Sequence, residues 1–186
     1  MKPLLILPLM LVALAACRED DTAARPDPVS MSEEAVGHFC QMALLEHPGP
    51  KAQVHLSGLI DPLFFSQVRD AIAYQRMPEQ SHLITAIYVS DMGAAASWDD
   101  PGADNWIAAD DAHYVVGADV TGGMGAPELV PFSDRAAAET FTGENGGTIL
   151  ALAEISDTEV LAPVTDAEAE ADDDADYLER LHNLGQ

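Results

Sequence analysis

Between Glu33 and Val164 the chain alternates between two rhythms of apolar residues. Gln53-Val54-His55-Leu56-Ser57 repeats every second residue, the period of a strand with one face turned inward. Leu83–Ser90, Ala112–Ala118 and Thr148–Ile155 are rich in β-branched and aromatic residues and predict further strands. Two other stretches keep a helical period. Phe64–Tyr74 and Pro131–Phe141 match at a constant offset of 67 residues, and each opens with an aromatic residue followed by a serine able to cap a helix. In the first, Val68, Ala71 and Ile72 share a face with Tyr74 at its edge. In the second, Ala137, Ala138 and Phe141 take the equivalent places. Strand-like sequence precedes and follows each helix. The pattern predicts an α+β domain of two similar small ββαβ units packed together, over about 33–92 and 106–164.

The ends of the chain follow other rules. Lys2 and the apolar run Pro3–Ala16 have the charge and length of an export signal, too short for the roughly 20 residues that span a bilayer. The run closes in Leu14-Ala15-Ala16-Cys17, which resembles a bacterial lipobox, with residues 1–16 as signal peptide and Cys17 as the lipidated new N-terminus. Arg18 rather than Asp follows, so the sequence does not signal which membrane holds the anchor. Residues 17–32, polar and carrying Pro26 and Pro28, read as a flexible tether. At the other end, residues 165–186 form an acidic tail in which seven of the eleven residues from Asp166 to Asp176 are acidic. Leu178, Leu181 and Leu184 after it would line one side of a short helix.

Charge and cysteine content narrow the chemistry. A formal net charge of −24 excludes nucleic acid as a natural partner, because phosphate binding needs clustered Lys and Arg. Of two cysteines, lipidation would consume Cys17, leaving Cys40 as a lone thiol in an oxidising compartment. Cys40 stands in Gly37-His38-Phe39-Cys40-Gln41-Met42. On an extended segment Cys40, Met42 and His38 would point to one side. Thiolate, thioether and imidazole are what Cu(I) prefers. Met124 lies among the glycines of Thr121-Gly122-Gly123-Met124-Gly125-Ala126-Pro127, a loop expected to have few packing neighbours and to present a thioether. Met92, in Asp91-Met92-Gly93, is a further sulfur candidate, or packs under Trp98 or Trp106. His47 and the remaining histidines fall in no ligand-like spacing.

Signals for catalysis are few: there is no Gly-x-Ser-x-Gly, no phosphate loop and no paired-carboxylate pattern. Cys40 with His38 as its base is the one enzyme alternative, a thiol nucleophile without a visible third residue. A structural lipoprotein adaptor with Cys40 buried is a third reading.

Several motifs in order resemble the NosL family: His38-Phe39-Cys40-Gln41-Met42 through Glu46-His47-Pro48-Gly49-Pro50-Lys51, then Ser66–Ile72, Ile87–Gly93 and Gly122–Glu128. The resemblance covers roughly Val36 to Ile155 together with the lipobox. It implies a periplasmic, lipid-anchored Cu(I) metallochaperone, not an enzyme, that serves assembly of the copper–sulfide centre of nitrous oxide reductase. It also implies two protein partners, the reductase apoprotein and the ABC-type maturation complex in the membrane. The family's Cys-x-Met maps onto Cys40 and Met42, its glycine-flanked methionine onto Met124 and its Asp-Met-Gly onto Met92. The family carries Gly where this chain has Gln41, an exchange expected to change little. The Met124 loop is expected to close over the copper and to open on docking.

Overall fold

The alternation in β1 (Ala52–Leu56) is real, but neither of its faces meets water: all five residues are buried. The computed structural model describes residues 25–163. The export signal, Cys17 and the acidic tail lie outside them. β1 pairs antiparallel with β2 (Leu63–Phe65) on one side and β3 (Ile84–Ser90) on the other, and β4 (Trp106–Ala108) completes the sheet in the order β2-β1-β3-β4. Ala52, Val54 and Leu56 face inward against α1 (Val68–Arg76), whose Val68, Ala71 and Ile72 are fully buried. Gln53 and His55 face the other way. There residues 26–31 of the tether lie across them: the Gln53 amide exchanges two hydrogen bonds with the Val29 backbone, at 2.8 and 3.0 Å, and Tyr88 donates to the Pro26 carbonyl. Burial depresses the His55 pKa, favouring the uncharged ring beneath this cover.

The second unit repeats the first. β5 (His113–Val116) lies between β6 (Val130–Phe132) and β7 (Thr148–Ala151), with α2 (Arg135–Asn145) linking β6 to β7. The order β6-β5-β7 reproduces β2-β1-β3, so the predicted ββαβ duplication is present in the topology. The element starts differ from expectation. Phe64-Phe65 and Pro131-Phe132 are strand residues of β2 and β6, not first turns of helices. Neither serine caps its helix. The N-cap positions are Gln67, whose side chain makes no capping bond, and Asp134, whose carboxylate accepts from Ala137 N.

One core serves both units. Val54, Phe65, Ile72 and Val89 pack in a single cluster with Tyr114, Leu129 and Val160, and a smaller cluster gathers Val115, Val130, Phe132 and Ala138 under α2. Polar bonds close the seam between units. From α1, Arg69 donates to the carbonyls of Glu159 and Ala162, and Arg76 to those of Leu152 and Ile155, holding α3 (Asp157–Leu161) and the turn before it. At the end of β3 the Asp91 carboxylate accepts from Gly93 N at 2.9 Å, from Ser133 N at 3.1 Å and from the Ser133 hydroxyl.

Asp91→Ala removes the acceptor shared by Gly93 and Ser133 at a part-buried junction where water can take over part of its role, and a hydrogen bond to a charged group contributes about 1.5–3 kcal/mol. Urea denaturation of the variant is expected to show a loss of roughly 1.5 kcal/mol. An unchanged midpoint would show that the seam does not depend on Asp91.

Candidate metal centre

Cys40 sits on a tight turn, not on an extended segment. Val36 and Ala43 form an isolated antiparallel bridge, and within it Gly37 N donates to the Met42 carbonyl at 3.0 Å and Gln41 N to the Gly37 carbonyl at 2.8 Å. Closing so short a loop forces one residue into the left-handed region. That residue is Gln41, with φ 55°, the only non-glycine there among the described residues. Its amide donates back to the His38 carbonyl at 2.7 Å and the Gly37 carbonyl at 3.3 Å, offsetting part of the backbone strain. A glycine at 41 would adopt this φ freely, so the exchange expected to be minor falls on the most strained position of the turn. Gly37 has a separate duty. A Cβ there would stand 2.5 Å from the Cys40 sulfur, so only glycine lets the thiol fold back over the turn. The thiol is half-buried, with Sγ 3.7 Å from Ser66 Oγ. Met42 is 43 % exposed, as is Met124, and Phe39 is exposed beside the thiol.

The Met124 loop reaches the same place from the second unit. Thr121 and Pro127 form a bridge at its base, with Gly122 N donating to the Ala126 carbonyl and Gly125 N to the Gly122 carbonyl. Met124 N donates to the side-chain oxygen of Gln67 at 2.6 Å. Against the expectation of few packing neighbours, its glycines permit close contact. A Cβ on Gly123 would lie 2.7 Å from His47 Cβ, 3.0 Å from the Pro48 carbonyl and 3.1 Å from the Ser66 carbonyl. The His47 ring completes the contact, with Nδ1 3.0 Å from the Gly123 carbonyl. The loop is therefore held at its backbone on three sides, and its freedom is concentrated in the Met124 side chain. Cys40 and Met124 thus rest on adjacent residues, Ser66 and Gln67, at the start of α1.

Glu128 fixes this arrangement. It is 2 % exposed, and its Oε1 accepts from Arg69 N at 3.0 Å and Leu129 N at 2.9 Å, doing for the first turn of α1 what the Gln67 side chain does not. Its Oε2 has no hydrogen-bond partner and faces Gly122, where a Cβ would stand 2.5 Å away. Burial lifts the Glu128 carboxyl from its ordinary 4.5 to about 8. Lys51 is drawn down from 10.5 to about 8, chiefly by burial, and its ammonium donates to the Pro48 and Gly49 carbonyls behind His47.

The other expected ligands are placed less directly. The His38 ring lies between Phe39, Phe65 and Tyr74, with centroids 5.3–5.5 Å apart, and its backbone N–H is tied to the Phe64 carbonyl. Met92 is half-buried against the second cluster, near Trp98 and Phe141. His47, which has no ligand-like spacing, emerges as a residue of the site because its contact is with a carbonyl 76 residues away. Its Nε2 is buried without a partner. Among the described residues no three His, Cys, Asp or Glu side chains gather for a metal ion. A centre here depends on sulfur, and a thiol with thioethers suits a soft monovalent ion.

The NosL family model matches residues 28–160. The chain is 59 % identical over 175 residues to the copper-binding lipoprotein NosL of Achromobacter cycloclastes, covering 94 % of this chain and 90 % of the relative. It is 32 % identical over 149 residues to the copper-binding lipoprotein NosL of Stutzerimonas stutzeri, covering 79 % and 76 %. The crystal structure of the copper chaperone NosL from Shewanella denitrificans superposes with a TM-score of 0.65 at 30 % identity, covering 70 % of this chain and 96 % of that one.

Two outcomes follow from the geometry. Gln41→Ala keeps the strained φ and loses both amide bonds, so thermal unfolding should show about 1 kcal/mol less stability, whereas Gln41→Gly relaxes the backbone and should stay closer to wild type. Equal losses would refute the role given to φ. The second concerns pH. Between 4.5 and about 8 an unfolded chain has released the Glu128 proton while the folded one keeps it, so this group's contribution to stability falls as pH rises through that window. Lys51 acts oppositely, adding stability from about 8 to 10.5. Glu128→Gln retains the Oε1 acceptor and removes the titration. Its stability should decline less steeply between pH 5 and 8 than wild type, by up to one proton, about 1.4 kcal/mol per pH unit. Parallel curves would mean that Glu128 is ionised in the fold.

Proposed function

Because the chain belongs to the NosL family, we propose that it is a periplasmic Cu(I) metallochaperone, anchored to a membrane through lipid on Cys17, that supplies copper for the copper–sulfide centre of nitrous oxide reductase. It is a carrier and not an enzyme. Its partners in this reading are the reductase apoprotein and the ABC-type maturation complex of the membrane. Copper is the cargo. The observation that carries the reading is the meeting of the Cys40 turn and the Met124 loop on Ser66 and Gln67. The relatives named for copper binding and copper chaperoning support it. Among the described residues no helix is long and apolar enough to cross a membrane.

The chemistry of release follows from the donor set. Cys40 binds as thiolate, neutralises the charge of Cu(I) and gives up its proton to solvent. Met42 and Met124 add neutral thioethers, which exchange more readily than the thiolate. Both are nearly half exposed, so a recipient can replace them one at a time while Cys40 still holds the ion. The backbone at Met124 is already fixed by Gln67 and His47, so closure and opening reside in its side chain. Met92 and His38 are secondary candidates. Met92 must first leave its packing in the second cluster, and the His38 ring its place among Phe39, Phe65 and Tyr74.

An anaerobic Cu(I) titration against a chromophoric chelator tests the assignment. Wild type should take one tight equivalent. Cys40→Ser should bind more than about 100-fold more weakly, about 2.8 kcal/mol, and Met124→Ala roughly tenfold more weakly. Equal affinity in wild type and Cys40→Ser would sink the site. Mixing loaded protein with the reductase apoprotein should then move copper in the wild type, and failure to do so with the maturation complex present would remove the proposed recipient.

A further inference from the structure

The end of the first sheet farthest from Cys40 carries three exposed aliphatic side chains. Leu59 is 54 % exposed, Ile60 95 % and Leu83 71 %. Leu59 and Ile60 lie in the turn after β1, and Leu83 directly precedes β3. The Ser57 N–H bond to the Leu83 carbonyl and the pairing of Leu56 with Ile84 bring them together. Exposed aliphatics grouped at one edge mark a contact surface, whereas scattered ones do not. The Cys40 turn touches the opposite end, at Phe64 and Ser66, where β1 begins.

The tether reaches the domain at this same far end. Arg25 borders a hollow formed by Gln75, Ile84, Thr85, Ala86, Ile87 and Asp110, and its guanidinium pairs with Asp110 at 3.2 Å. From there the chain runs toward the Cys40 end, past Tyr88 and Gln53 to Met31, whose N–H meets the Ala103 carbonyl. Cys17 is eight residues before Arg25 and so at most roughly 29 Å from it, however the intervening chain runs. β3 alone is seven residues long, about 23 Å.

We propose that Leu59, Ile60 and Leu83 form a membrane-facing surface that rests in the lipid interface, holding the Cys40–Met124 end away from the bilayer. Arg25, which shares its hollow with Ile84, stands beside these residues and within roughly 29 Å of the anchor, and this selects a lipid surface as their occupant. Apolar side chains seat at the headgroup boundary without needing basic residues, as this acidic chain requires. The inference rests on Cys17 being the lipidated residue. It adds an orientation: the copper end points outward, toward partners, by the length of a strand.

The test uses full-length lipidated protein in phosphatidylcholine vesicles with brominated acyl chains, and Ile60→Trp and Phe39→Trp variants. The native Trp98 and Trp106 lie at the Cys40 end, against Gly49 and paired with Ser90. Bromine should quench the emission added by Ile60→Trp and spare that added by Phe39→Trp, with thermal unfolding followed by circular dichroism confirming that both variants fold. Emission of Ile60→Trp untouched by bromine in protein that floats with the vesicles would overturn the orientation and leave the anchor standing. Protein that neither carries acyl mass nor floats would overturn the anchor and the orientation with it.

Discussion

The first turn of α1 has free backbone N–H groups and no side chain of its own to receive them. Glu128, from the other half of the duplication, supplies the missing acceptor at Arg69 N. Much of the candidate centre depends on this one interaction. It fixes the strand end from which the Met124 loop springs against the helix start on which the Cys40 thiol rests. Without it the two sulfur-bearing loops would be joined through the Gln67 and His47 contacts and the close packing of Gly123 against Pro48 and Ser66. A fully buried carboxyl is a costly way to cap a helix, and the cost is lowered by keeping its proton, which the raised pKa expresses. A solvent-facing cap would have been cheaper, but it could not have tied two distant segments together.

Close approach is the second device. Gly37 and Gly123 hold positions where a methyl group would collide with the Cys40 sulfur and with His47. Gly122 leaves the space into which the unpartnered oxygen of Glu128 points. The backbone around the sulfurs is therefore set by packing. The thioethers of Met42 and Met124 remain exposed. A packed frame with exposed donors suits a site that must both bind and surrender its cargo.

Much of this was legible in the sequence. The 67-residue offset revealed the duplication, because a repeated apolar rhythm survives when individual side chains change. Short β2 and β6 escaped, since three residues carry too little periodicity to separate from the helix that follows. Cys40, Met42 and Met124 were recognisable as soft donors by residue type alone. The turn that presents Cys40 was not, because it is set by φ at Gln41 and by a contact with Gly37, neither of which has a sequence period. His47 was passed over because its partner is a backbone carbonyl on another loop. The one local sign was its position beside Pro48-Gly49-Pro50, a segment rigid enough to hold a ring against a neighbour.

The two halves also show how a duplicated unit becomes a site. Ser66 and Gln67 correspond, at the same offset, to Ser133 and Asp134. In the second unit this pair serves the fold: Ser133 locks onto Asp91 and Asp134 caps α2 through Ala137 N. In the first unit both residues are diverted. Ser66 lies beside the Cys40 thiol, and the Gln67 amide oxygen receives Met124 N. Forgoing a side-chain cap costs a helix about 1 kcal/mol. Only because Glu128 arrives from the other unit can α1 give up its own cap and become the platform on which the two loops meet.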